Sequence, residues 1–285
     1  MKIIECPRDA MQGIADFIPT DLKAMYINQL LKVGFDTIDF GSFVSPKAIP
    51  QLKDTASVLS QLELTSTSSK LLAIIANHRG AEDAVAFDEI SYLGFPFSIS
   101  ETFQLRNTNS TIEQSLTTVA QIQDLCVRNK KQLVVYISMA FGNPYGDNWN
   151  EEIALHWVEK IRSLGVKTIA MADTVGLANS EDVHRIFHHL IHSIADVEFG
   201  AHLHCTEENW EEKVNAAYRA GCRRFDTAIK GYGGCPMAND ALVGNLATEK
   251  LMSYLSKNHQ TEELKNINQD AFLEASLLSN RVFNH

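Results

Sequence analysis

The stretch GVKTIAMADTVGLANSEDVHRIFHHLIHSIADVEFGAHLHC, residues 165–205, holds a complete strand–helix–strand unit and decides the fold class. Gly165 follows an amphipathic run, where a glycine most easily takes the left-handed conformation that ends a helix. Thr168–Ala172 is a short apolar run of strand length, Ser180–Ile194 reads with helical periodicity, and Glu198–His204 returns to a strand pattern. A crossover of this length is far too long for a hairpin and joins parallel strands.

Working outward, the same alternation covers the chain. Strands are predicted at Lys2–Cys6, Thr37–Gly41, Leu71–Ala76, Glu89–Leu93, Gln132–Ile137, Thr168–Ala172, Glu198–His204 and Arg224–Ala228. Helices are predicted near Asp21–Val33, Ala48–Leu59, Glu82–Phe87, Thr111–Asn129, Glu151–Leu164, Ser180–Ile194, Trp210–Ala220 and Asp240–Leu255. Gly34 and Gly221 repeat the helix–glycine–strand junction of Gly165. Eight β/α units predict an α/β protein, a closed (β/α)₈ TIM barrel. An open doubly wound sheet shares the local pattern. Asp9, Asn77, Ser138, Asp173, His204 and Lys230 separate the two, because they fall at the C-terminal ends of different strands, and a barrel gathers those ends on one face.

With no Gly/Ser linker or composition break, one catalytic domain is expected over residues 1–285. The barrel spans about 1–257, and a polar tail of about 258–285 forms a short C-terminal helical extension. Hydrophobic residues make up 45% of the chain, enough for a substantial core. The net charge of −10 argues against nucleic acid or a membrane surface as a partner, since both need a contiguous basic face. Five scattered cysteines without a CxxC pair suit a reducing compartment. No apolar run approaches a membrane span, and the first motif begins at Pro7, so a cytoplasmic protein is expected.

Four elements carry candidate chemistry. In Ala201-His202-Leu203-His204 the strand period of two puts both imidazoles on one face. Alone, this is either a grip for a metal or a polar strand end with a satisfied histidine. Arg8-Asp9 offers a permanently charged donor fork beside a hard oxygen ligand, or a surface ion pair. Gly231-Tyr232-Gly233-Gly234-Cys235-Pro236 is either a simple turn or a mobile loop carrying a titratable thiol. Asn245, in Gly244-Asn245-Leu246-Ala247-Thr248-Glu249, either adds a neutral oxygen ligand or caps the following helix.

In this order the four elements resemble the 3-hydroxy-3-methylglutaryl-CoA lyase family, within a wider group of metal-dependent barrel lyases and synthases. The resemblance runs from about Ile4 to Leu255. It includes Ser42-Phe43-Val44-Ser45-Pro46-Lys47, Asn77, Ser100-Glu101 with Phe103, Asn107 and Asn109, and Asp173-Thr174 with Gly176. The chain departs from the family at Ala10-Met11, where Gly-Leu is usual, at Cys205, where aspartate usually follows HxH, and at Asp39, where a glutamate stands.

The resemblance implies cleavage of 3-hydroxy-3-methylglutaryl-CoA, or a close 3-hydroxyacyl-CoA, to acetyl-CoA and a ketone-bearing acid such as acetoacetate. It implies a divalent metal held by Asp9, His202, His204 and Asn245, with Mg²⁺ or Mn²⁺ favoured and Zn²⁺ or Co²⁺ conceivable. Arg8, Asp39, Asp173 and Cys235 are the implied catalytic groups: Arg8 as electrophile, Cys235 as the acid that quenches the enolate, and Asp173 in proton transfer or orientation. Gln12, Ser42, Asn77, Ser138, Thr174, Lys47 and Lys230 are the candidate contacts to the acyl-CoA substrate. His78 and Arg79 join Lys47, Arg106 and Lys230 as loop cations for the CoA phosphates. A homodimer is the implied assembly. Two other readings share the HxH barrel: an isopropylmalate- or homocitrate-type synthase, and a non-catalytic barrel that binds acyl-CoA or metal. The cysteine loop and the missing regulatory domain favour the lyase over the first, and the intact ligand set favours it over the second.

Overall fold

A computed structural model describes residues 1–234 and 243–283. Eight parallel strands form its centre: β1 (Lys2–Glu5), β2 (Thr37–Ser42), β3 (Lys70–Ile74), β4 (Ile90–Ser98), β5 (Gln132–Ser138), β6 (Thr168–Asp173), β7 (Glu198–Cys205) and β8 (Arg224–Thr227). Consecutive strands pair, β8 pairs back onto β1, and β6 pairs with β7, so the sheet closes. This is the expected (β/α)₈ barrel. A two-residue strand, β9 (Gly244–Asn245), adds antiparallel to the end of β7.

The helices in chain order are α1 (Pro7–Gln12), α2 (Thr20–Leu31), α3 (Thr55–Leu59), α4 (His78–Val85), α5 (Glu101–Thr108), α6 (Ile112–Arg128), α7 (Glu151–Ser163), α8 (Ser180–Ser193), α9 (Trp210–Arg219), α10 (Thr248–Lys257) and α11 (Gln269–Phe283). Their starts are set locally. Asn77, Ser100, Asn150 and Asn179 each accept a backbone amide bond in the first turn, and Thr111 with Gln114 forms a reciprocal capping box. The main core lies between the outer faces of the strands and the helices, and a smaller cluster of Leu72, Tyr92, Val134, Tyr136 and Ala170 fills the barrel interior.

The expected strands match the observed ones closely except β4, which runs on to Ser98. Gly94 and Pro96 read as breakers, yet both fit: Gly94 leaves room for Ile74, Leu72 and Tyr136, while Phe95 and Phe97 are buried. The first part of the helix expected at Asp240–Leu255 is outside the described residues; its described part is β9 followed by α10. The tail forms α11 and is integral to the fold. It packs on α2, burying Ala271, Phe272, Ala275 and Val282, and the Asn268 amide donates to the Val33 carbonyl at 2.8 Å.

Candidate metal centre

The site begins where β1 ends. Pro7 takes the first helical position, where its missing N–H costs nothing, and α1 turns the chain so that Arg8 and Asp9 are buried at the barrel mouth. Arg8 is held from two sides. Its Nε donates to both Asp39 oxygens at 3.2 and 3.1 Å and Nη2 donates to Oδ2 at 2.5 Å, while Nη1 donates to Asp9 at 2.9 Å and to Gln12 at 3.0 Å. Gln12 closes the ring by donating to Asp9 at 2.8 Å. Asp39, in the middle of β2 just before a register shift, is only 1% exposed, and although one methylene shorter than a glutamate it reaches the guanidinium with both oxygens.

β7 brings the imidazoles. Each uses Nδ1 for a bond to the protein: His202 to Asp226 Oδ2 at 3.1 Å, and His204 to the Thr174 carbonyl at 2.9 Å. A carboxylate and a carbonyl only accept, so each Nδ1 carries a proton, and in the neutral ring Nε2 is left as the acceptor. His204 Nε2 is buried without a hydrogen-bond partner among the described residues. One ligand atom from each of Asp9, His202 and His204 lies within 4.8 Å of the others. β9 pairs Asn245 with His204, which places the amide beside them; its nitrogen donates to Asp9 Oδ2 at 2.7 Å and to the Tyr232 carbonyl at 2.9 Å. A carboxylate, two imidazoles with free Nε2 and an amide suit a divalent cation, and an orphaned buried nitrogen is what such a cation would satisfy.

The electrostatics hold Asp9 and His204 in the forms a cation needs, while at His202 burial opposes charge but Asp226 outweighs it and raises the imidazole. Burial works against ionising Asp9, but Arg8, His202 and His204 outweigh it and hold the carboxyl below its ordinary range. Burial likewise opposes charge on Arg8, and Asp39 and Asp9 overcome it, so the guanidinium stays charged. Burial, then the neighbouring His202, depresses His204 and keeps its Nε2 available at neutral pH. Burial pushes Asp39 up to about 6 despite Arg8.

The other expected residues take varied places. Asp173 does not join the ligand set: Oδ2 accepts from Lys213 Nζ at 2.7 Å and Oδ1 from the Ala178 amide at 3.1 Å. Thr174 supports His204 through its carbonyl and accepts from the Met139 amide through Oγ1. Ser42 and Ser138 are buried at the ends of β2 and β5, and Asn77 caps α4. Lys47 and Lys230 are exposed, and Lys230 Nζ donates to Asn280 of α11 at 2.5 Å. Cys235 lies outside the described residues. Cys205 faces away from His202 and His204, so His204 takes its orientation from Thr174 instead of from residue 205.

Lys213 and Asp226 were not singled out from sequence. Lys213, fully buried on α9, donates to Asp173, to the His204 carbonyl at 2.9 Å and to the Gly176 carbonyl at 3.2 Å, tying the ends of β6 and β7 together. The one signal for Asp226 was an acidic residue inside an otherwise strand-like run, Arg224–Ala228.

A closed barrel with a carboxylate, two imidazoles and a buried arginine at the C-terminal ends of its strands has the layout of an enzyme barrel whose site could hold a metal ion. The chain belongs to the HMGL-like family, whose model matches residues 2–276. It is 30% identical over 259 residues to the cytoplasmic 3-hydroxy-3-methylglutaryl-CoA lyase of Rattus norvegicus, covering 90% of this chain and 74% of that one. A hydroxymethylglutaryl-CoA lyase of Bacillus subtilis is also 30% identical, over 251 residues, covering 88% of this chain and 83% of its own. Among solved structures, an HMG-CoA lyase from Acinetobacter baumannii in complex with coenzyme A and 3-methylmalate superposes with a TM-score of 0.91 at 34% identity, over 100% of this chain and 92% of that one.

Proposed function

We propose that the chain is a divalent-metal-dependent carbon–carbon lyase that cleaves 3-hydroxy-3-methylglutaryl-CoA, or a close 3-hydroxyacyl-CoA, to acetyl-CoA and a ketone-bearing acid, acetoacetate in the first case. The observation that carries this reading is the convergence of Asp9, His202 and His204 within 4.8 Å, with Asn245 paired beside His204 and Arg8 locked next to Asp9. Bound there, Mg²⁺ or Mn²⁺ supplies the Lewis-acid charge that lets a tertiary hydroxyl lose its proton near neutral pH. Zn²⁺ and Co²⁺ are the alternatives that the nitrogen ligands permit.

The chain's own residues do the rest. Arg8, with its charge fixed and its orientation set by Asp39, stabilises negative charge developing on the thioester oxygen as the bond breaks. Cys235 delivers the proton that turns the released enolate into acetyl-CoA, so Cys235→Ala lowers turnover and spares metal binding. Asp173 orients the ends of β6 and β7 through Lys213. Gln12, Ser42, Asn77, Ser138 and Thr174 line the acyl side. Lys47 and Lys230, in loops beyond β2 and β8, meet the CoA phosphates together with His78 and Arg79, which lie in the first turn of α4 and not in a loop, and Arg106, which lies in α5. The coenzyme A held by the Acinetobacter relative supports an acyl-CoA ligand.

The reading extends to a homodimer, checked by light scattering, and to the cytoplasm, supported by four buried, unpaired cysteines among the described residues. No described helix is long and apolar enough to cross a membrane. The test is mass-spectrometric product analysis over a panel of 3-hydroxyacyl-CoA thioesters with Mg²⁺, Mn²⁺, Zn²⁺ and Co²⁺ in turn. Metal-dependent release of acetyl-CoA is expected, and no cleavage of any member with any of the four metals would overturn the proposal.

A further inference from the structure

The register between β7 and β8 sets Asp226 directly beside His202. Both side chains point into the barrel, and Asp226 is only 2% exposed. Its Oδ2 meets His202 Nδ1 at 3.1 Å, and the Tyr136 ring makes a T-shaped pair with the same imidazole, ring centroids 5.9 Å apart. His202 is thus held by a carboxylate at Nδ1 and by a perpendicular aromatic ring. Asp226 Oδ1 has no hydrogen-bond partner among the described residues. Two residues earlier on the same face of β8 stands Arg224, fully buried, its guanidinium nitrogens also without hydrogen-bond partners and Nη1 3.6 Å from Glu198. A buried carboxylate far from solvent needs a compensating positive charge, and Arg224 is the nearest candidate along the strand.

We propose that Asp226 is the positioning residue of the metal centre: by accepting the Nδ1 proton of His202 it fixes the tautomer and ring plane in which Nε2 faces Asp9 and His204, with Arg224 balancing its charge from the layer below. The inference rests on the metal-dependent reading above. Without Asp226, the imidazole is free to carry its proton on Nε2 or to rotate, and either change costs metal affinity before any chemistry begins. Asp226 is not among the side chains whose ligand atoms converge, so its hold on the metal centre passes through His202.

The test measures Mn²⁺ binding by calorimetry to the full chain, with wild type, Asp226→Asn and His204→Ala compared, and the thermal unfolding of each metal-free protein as a folding control. Asp226→Asn keeps the shape but presents an amide able to donate as well as accept. The expected result is Mn²⁺ binding weakened about 10–100-fold while the metal-free melting temperature stays near that of wild type. Nitrogen-15 NMR of histidine-labelled wild type at pH 8, with the His202 signal assigned from His202→Gln, reads the tautomer without any change at Asp226. A proton on Nδ1 is expected there, and a proton on Nε2 overturns the inference even if Asp226→Asn does not fold. Asp226→Asn that binds Mn²⁺ within twofold of wild type overturns it while leaving the metal-dependent reading intact. Wild-type protein with no Mn²⁺ binding that His204→Ala abolishes removes both.

Discussion

Replacing Asp39 by asparagine separates catalysis from stability. Asp39 receives Arg8 Nε at 3.2 and 3.1 Å and Nη2 at 2.5 Å. Asparagine keeps one acceptor oxygen and puts an NH₂ where the other stood, so one docked, charge-assisted bond becomes a donor facing a donor. A hydrogen bond to a charged group contributes about 1.5–3 kcal/mol, and about 1.4 kcal/mol is tenfold in rate. If Arg8 must be held in one place to meet the thioester oxygen, turnover falls by about 10–100-fold. Stability moves less, by about 1 kcal/mol. Arg8 keeps Asp9 and Gln12 as partners, and the lost carboxylate was itself disfavoured by burial, which pushes Asp39 up to about 6. The assay is kcat and KM for each cleaved acyl-CoA thioester at saturating metal, alongside thermal unfolding of the same preparations. Unchanged turnover with every cleaved thioester would refute the reasoning, as would a melting temperature so reduced that unfolding accounts for the lost rate.

Gly233→Ala strikes the ligand set from the loop: Gly233 has φ +98°, and a Cβ there would sit 2.7 Å from Asn245 Nδ2, 2.9 Å from Ala10 Cα and 3.1 Å from the Asp9 carbonyl. Mn²⁺ affinity measured by calorimetry is expected to drop at least about tenfold, and an unchanged affinity would mean that the loop yields freely. Lys213→Met leaves Asp173 buried without its ammonium and is expected to cost about 3–5 kcal/mol in denaturant unfolding. Adding Asp173→Asn should recover part of that loss, and equal stability of the single and double variants would show that the pair is not coupled. Glu5 supplies a pH signature. Burial pushes its carboxyl up to about 8 against hydrogen bonds from Thr248 and the Ile229 amide. The folded value lies above the unfolded one, so the stability Glu5 contributes is complete at acid pH and is lost as pH rises from about 4.5 through 8. Glu5→Gln should therefore gain melting temperature relative to wild type between pH 5 and pH 8.5, whereas a constant difference across that range would contradict the burial argument.

Much of the architecture was legible along the chain because it depends on local periodicity. Strand and helix alternation from Lys2 to Lys257, the helix-ending glycines and the shared face of His202 and His204 need only neighbours a few residues away. The same locality explains the misjudged end of β4. Gly94 and Pro96 are breakers by propensity, and only the neighbouring side chains from β3 and β5 make a bare glycine fit there. Tail composition indicated a helix, but not that α11 would close over α2, since its buried face is defined by a partner some 240 residues away in the chain.

Within the site, residue types were readable and relationships were not. Arg8, Asp9, both histidines and Asn245 stood out as chemistry-bearing groups at strand ends or in loops. That Asp39 grips Arg8 from β2, that Asn245 arrives beside His204 on an antiparallel stub, and that Asp226 shares a register line with His202 are pairings between strands far apart in sequence. Lys213 shows the point most plainly. On an amphipathic helix a lysine reads as a solvated charge, yet here it is fully buried, because the ends of β6 and β7 present a carboxylate and two carbonyls that only the closed barrel brings within reach of one ammonium. The sequence alone thus determined the β/α order and the inventory of metal-ligand and charged groups. Barrel closure decided which of them touch, since sheet register, not distance along the chain, sets the contacts between strands.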